Sequence, residues 1–98
     1  MKIYISGQIT GLTLQEAQSK FDIGAEQIKT MGHEPVNPMQ EVPYNETWTW
    51  EDYMIADIRL IFGCDGIYML DNWTESKGAK IEHDICLRLG KKIMFQEF

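Results

Sequence analysis

"DGIYML", Asp65 to Leu70, decides how this chain folds. Ile67 to Leu70 run apolar without a polar partner between them. A strand with one wet face alternates, and this one does not. It reads as a strand buried on both faces, which is what the interior of a parallel sheet covered by helices on both sides requires.

Reading outward confirms the company it keeps. Before it, a helix spans about Thr49 to Phe62, with Thr49 as N-cap and Asp52 three residues on. After it, "DNWTESKG" is a loop into a helix from about Gly78 to Leu89, which Gly90 ends, and "KKIMF" is a further strand. Towards the N-terminus, "KIYIS" (2–6) is a short strand followed by the glycine turn "GQITG". Leu12 to Met31 is helical, with Ala17, Phe21, Ala25 and Ile28 at helical spacing and Gly32 as the stop. A brief strand near Glu34–Asn37 closes at Pro38, and Met39 to Thr47 reads as a loop.

Strands alternating with helices define an α/β fold: a flavodoxin-like or Rossmann-like parallel sheet of four to five strands flanked by helices, with right-handed crossovers. With 98 residues, one domain over 1–98 is expected. Such sheets bind ligands beyond the carboxyl ends of their strands, where strand order reverses. Three loops gather there: Gly7–Gly11, Pro38–Trp48 and Asp71–Lys77.

Composition narrows the function. A net charge of −6 and no basic run argue against duplex nucleic acid and against anionic membranes. No apolar run approaches a membrane span and the N-terminus opens straight into a strand, so a cytoplasmic protein is expected. Cys64 and Cys86 sit in apolar contexts and read as buried small hydrophobes. With His33 and His83 unpaired at metal spacing, a zinc site is not expected.

Two carboxylates lie on the wrong faces of their helices. Glu82 has Gly78 and Ala79 one turn back and Ile85 and Cys86 one turn on. Asp57 has Tyr53, Met54, Leu60 and Ile61 around it. A buried carboxylate is costly unless it is partnered or protonated. One such residue is as well explained by a solvated edge. Two, on the helices around the third strand, point to acid–base or nucleophilic chemistry. Glu16, Asp22 and Glu26 fall on a polar helix face, and Asp84 and His83 point away from Glu82. "GQITG" either cradles an anion or is a plain strand-to-helix turn; it lacks the lysine and spacing of a nucleotide-hydrolase phosphate loop. Ser76 and Gly78 offer a second anion cradle. Trp48, Trp50 and Trp73 either line a base pocket or pack a core or interface.

Taken together, "IYISGQITG", "ADIRLIFGCDGIYML" and "SKGAKIEHDICLRLGKKIMF" resemble the nucleoside 2-deoxyribosyltransferase-like superfamily, near its small 2'-deoxynucleoside 5'-phosphate N-hydrolases and short bacterial and phage members. The specific part is the spacing SxGxxxE (Ser76, Gly78, Glu82), with a first-strand tyrosine and a helix aspartate. The resemblance implies cleavage or transfer at the N-glycosidic bond of a deoxynucleoside or its 5'-monophosphate. Glu82 would be the nucleophile, Tyr4 would orient it, and Asp57 would assist the departing base. Ser6, Gly7, Gln8, Ile9, Gly11, Ser76 and Gly78 would bind the substrate, and no metal or cofactor is implied. Serine at position 76 matches the phosphate-recognising hydrolases, where the transferases carry aspartate. Thr10 stands where those hydrolases carry a phosphate-holding arginine. The alternative from the same residues is a non-catalytic nucleotide or ribosyl-ligand binding module.

A homodimer or dimer of dimers is expected as well. Three tryptophans, four tyrosines, four phenylalanines and six methionines exceed what so small a core hides. Trp48, Trp50, Tyr53 and Met54 are the candidate surface patch. The resemblance implies the same, since members of that superfamily complete each other's sites as dimers.

Overall fold

The computed structural model describes residues 1–97. Strand β1 (Lys2–Ser6) buries every residue after Lys2, and β3 (Gly66–Met69) buries all four of its residues. They are the two inner strands of a four-stranded sheet whose edges are β2 (Glu34–Val36) and β4 (Lys92–Phe95). The order is β2-β1-β3-β4 and every pairing is parallel. The edge strands, with one neighbour each, stay partly exposed. This is the flavodoxin-like α/β arrangement, with four strands. Gly66 is required by the pairing itself, because a Cβ there would lie 2.7 Å from the Lys92 carbonyl oxygen.

Side chains alternate across each strand, so the sheet has two cores. On one face, Ile3, Ile5, Tyr68 and Leu70 pack against Phe21 and Ile28 of helix α1 (Leu14–Thr30). Gly24 lets α1 approach closely, since a Cβ there would sit 2.8 Å from Leu70 Cδ2. On the other face, Tyr4, Ile67 and Met69 pack against Ile61 and Cys64, and against Ala79 and Cys86. Ile61 belongs to helix α3 (Trp50–Phe62), and Ala79 and Cys86 to helix α4 (Lys77–Leu89). The chain leaves β1 toward β2 on one side and reaches β3 on the other. Strand order therefore reverses between β1 and β3.

Capping sets where the helices begin. Thr49 and Asp52 form a reciprocal capping box on α3, and Thr13 and Glu16 form another on α1. Gly90, at φ +72, ends α4.

Three boundaries differ from the sequence expectation, the first being α1, which starts at Leu14 after its Thr13 cap rather than at Leu12. The segment read as a loop from Met39 opens with a short helix, α2 (Pro38–Glu41). Asn37 is its N-cap rather than the last residue of a strand, and its Oδ1 accepts from the Met39 N–H at 3.0 Å. An Asn-Pro pair stops a strand, but the same pair starts a helix, with proline at the first position where no N–H is needed. Likewise α4 starts at Lys77 because Ser76 caps it, with Oγ accepting from the Ala79 N–H at 3.1 Å. A 3-10 turn over Trp73–Glu75 precedes it within the segment read as loop. Among the described residues, no helix is long and apolar enough to cross a membrane.

Candidate active site

The site grows from the alternation of β1. Tyr4 and Ser6 are two residues apart, so both side chains leave the same face of the strand, toward α4. On α4, Glu82 sits one turn after Ala79 and one turn before Cys86, on the buried stripe. The residue is only 4% exposed. Both oxygens are held: Tyr4 Oη donates to Oε2 at 3.0 Å, and Ser6 Oγ donates to Oε1 at 2.7 Å. The puzzle of an acid on an apolar stripe thus has a local answer, two hydroxyl donors from the neighbouring strand.

Two donors do not fully replace water. Burial pushes the Glu82 carboxyl up to about 8; the Ser6 hydroxyl opposes this, the Asp57 charge adds to it, and the Tyr4 hydroxyl opposes it again. Burial likewise pushes Asp57, on α3, up to about 7, with the Tyr4 hydroxyl holding it down. The Tyr4 phenol is itself pushed well above its usual range, first by burial and then by the charges of Glu82 and Asp57. Tyr4 therefore lies between two carboxylates that share its field. Near neutral pH such a pair holds about one proton between its members. Glu82, pushed higher, holds that proton more of the time. The minor form, with Glu82 ionised and Asp57 protonated, is the combination of attacking carboxylate and proton donor that glycosidic chemistry uses.

The remaining candidates fall into two groups around this centre. Gly7 to Gly11 form the turn at the end of β1. A Cβ on Gly7 would lie 2.7 Å from Leu70 Cδ1, so only glycine fits, and Gly11 adopts φ +93. Ile9 is exposed at the turn, and the Gln8 side chain folds back to donate to the Thr10 carbonyl at 3.1 Å. Ser76 caps the start of α4, and Gly78 lies one turn before Glu82. A Cβ on Gly78 would reach 3.0 Å from Met54 Sδ and 3.7 Å from the Trp50 ring. Lys77 Nζ rests 4.6 Å over that same ring. Ser6 is itself buried, 1% exposed, with its hydroxyl committed to Glu82.

Asn72 escaped the reading of the sequence. Its Oδ1 accepts from the Gln8 N–H at 3.1 Å, which ties the first turn to the end of β3 across the reversal point. That bond fixes the amide's orientation and leaves Nδ2 buried without a partner. The available signal was its place in "LDNW", directly after the third strand, in a loop already assigned to the ligand end.

The aromatic residues divide. Trp48 and Trp50 are each 38% exposed, whereas Met54 is buried and leaves the expected surface patch; it packs beneath Gly78. Tyr53 is half-buried, its hydroxyl donating to the Asn45 carbonyl at 2.8 Å. Trp73 stacks on His83 with ring centres 4.9 Å apart, and His83 pairs with Asp84, both turned away from Glu82. A groove of about 880 Å³ runs between α1 and the β3–β4 edge, floored by Tyr68 and Met94. It lies on the face opposite Glu82. Among the described residues, no group of three or more His, Cys, Asp or Glu is arranged to hold a metal.

Comparison with solved structures places the fold. The chain is similar to a 2-deoxyribosyltransferase from Bacillus psychrosaccharolyticus, with TM-score 0.71 and 20% identity over 97% of this chain and 71% of that one. It is similar to a conserved protein from Enterococcus faecalis V583, with TM-score 0.71 and 16% identity over 97% of this chain and 62% of that one. A 2-deoxyribosyltransferase from Leishmania mexicana matches with TM-score 0.67 and 19% identity, over 96% of this chain and 62% of that one. The fold is thus the nucleoside 2-deoxyribosyltransferase-like one, in a chain that spans between 62% and 71% of these neighbours' length. By sequence, the chain belongs to the family described as a domain of unknown function, DUF4406, whose profile matches residues 1–95. No curated protein matches it.

Proposed function

We propose that this protein cleaves or transfers at the N-glycosidic bond of a deoxynucleoside or deoxynucleoside 5'-monophosphate. The observation that carries this reading is the buried Glu82 carboxylate, held through both oxygens by Tyr4 and Ser6, with Asp57 beside it. A Glu82 oxygen attacks C1' of the deoxyribosyl group as the bond from C1' to the base nitrogen breaks. The base leaves with the bonding electron pair and takes its proton from Asp57. The resulting glycosyl ester is then opened at C1' by water, as in a hydrolase, or by a second base, as in a transferase. Tyr4 keeps the attacking carboxylate in one orientation. The first turn and the α4 N-terminus, with Ser76 and Gly78, are the proposed seat of the sugar and any 5'-phosphate. Incubation with each deoxynucleoside and deoxynucleotide, with and without an acceptor base, is the test. Free or exchanged base is expected.

A second reading, a binding module without turnover, is favoured by two observations. Glu82 is almost closed off from solvent. Thr10 leaves the first turn without a cation. It predicts that a nucleotide raises the melting temperature while no base is ever released.

We also infer a homodimer. Trp48 and Trp50 are each 38% exposed, at the start of α3, and Trp50 reaches the α4 N-terminus through Lys77. Covering them with a second copy would wall the approach to Glu82 from water. Light scattering at micromolar concentration should give at least twice the chain mass. A clean 11.4 kDa species would contradict it.

A further inference from the structure

Ser6 sits where the fold could have used any small side chain, yet it carries a hydroxyl. The residue is 1% exposed, so it has no surface to offer a ligand, and its Oγ lies 2.7 Å from Glu82 Oε1. That is a well-formed O–H···O hydrogen bond. Tyr4 occupies the other oxygen at 3.0 Å. Ser6 is also fixed from its own side: its carbonyl accepts from the Leu70 N–H at 2.8 Å, and β1 pairs it with Met69. Its hydroxyl can turn, but its Cβ cannot move.

We infer that Ser6 is a positioning residue for Glu82: it touches no substrate, and it both fixes the rotamer of the carboxylate and favours its ionised form. This goes beyond the proposed glycosidic activity and rests on that reading only for its kinetic consequence. The physical reason is the asymmetry of the partners. The other groups facing Glu82 are Tyr4 from β1, Asp57 from α3 and Cys86 from α4 itself. The Asp57 charge opposes ionisation of Glu82, and Cys86 brings no strong donor. Only the two hydroxyls favour the anion, and Ser6 makes the shorter bond. The Tyr4 phenol is shared with Asp57, whereas the Ser6 hydroxyl serves Glu82 alone.

The test needs no substrate. The Glu82 carboxyl carbon is followed by NMR through a pH titration, with its signal assigned by its loss in Glu82→Gln. In Ser6→Ala the midpoint should move up by about one pH unit, the effect of one hydrogen bond to a charged group. Ser6→Cys keeps the size with a weaker donor and should move it in the same direction by less. It serves alone if the alanine variant does not fold. In the base-release assay, Ser6→Ala should lower kcat and leave KM within about twofold. A midpoint that does not move in either variant overturns the inference, whatever the activity. A midpoint that moves in a protein whose wild type releases no base leaves Ser6 as the positioning residue of Glu82 and removes the glycosidic reading instead.

Discussion

Replacing Glu82 by glutamine raises the melting temperature at pH 8.5 by roughly 10 °C or more and changes it little at pH 5. The sign follows from burial. The carboxyl titrates at about 8 in the folded chain against an ordinary value of 4.5. A group whose pKa is raised on folding contributes most below its unfolded pKa, and that contribution is lost as pH rises through the folded one. For Glu82 the loss runs from about 4.5 to about 8, and Asp57 adds its own from 3.8 to about 7. Ionising Glu82 in place therefore destabilises the fold by on the order of 3 kcal/mol. Glutamine has the same shape and stays neutral, and the rotatable hydroxyls of Ser6 and Tyr4 can accept from its Nε2. A gain in stability on removing a functional acid is expected where a site is held against the preference of the fold. Thermal melts of both proteins across pH 5 to 9 check it. Parallel curves would show that Glu82 is better solvated than its 4% exposure indicates.

Base release should depend on pH as a bell with its maximum between about 7 and about 8, the values to which Asp57 and Glu82 are pushed. Below that window both acids are protonated and the nucleophile is neutral. Above it both are ionised and the departing base has no proton donor. The two limbs belong to the pair rather than to either residue. Asp57→Asn should lower kcat/KM by on the order of 10²- to 10⁴-fold, as removal of a general acid does. It should also abolish the alkaline limb. The Glu82 carboxyl should titrate lower in that variant, since a like charge has gone. An alkaline limb that persists in Asp57→Asn would assign the proton donor elsewhere.

Much of this was legible in the sequence, for definable reasons. Asp65–Leu70 lacks polar alternation because β3 is an inner strand between two layers of helices. Glu82 and Asp57 were conspicuous because helical spacing set them among apolar neighbours, and the fold brings both to Tyr4. The resemblance to the 2-deoxyribosyltransferase-like fold was carried by SxGxxxE and the first-strand tyrosine, and that fold is shared with solved structures at 20% identity or less. What was not legible depends on contacts across the chain. Ser6 read as the end of the first strand and as a substrate-binding residue, because nothing local reveals a partner 76 positions away. Asn72 read as loop filler, because its bond to Gln8 spans 64 positions. The helix at Pro38–Glu41 was missed because Asn-Pro carries a stop and a start at once. Met54 looked like surface because its face of α3 is covered only when α4 docks through Gly78.

The most direct measurement is chromatographic detection of free base after incubation with the panel of deoxynucleosides and their 5'-monophosphates, run in parallel on wild type and Glu82→Gln at pH 7.5. The account predicts release or exchange of base from at least one substrate by the wild type, and a loss of at least about 10⁴-fold in a glutamine variant that melts no lower. No release from any substrate, or release at equal rates by both proteins, would contradict it.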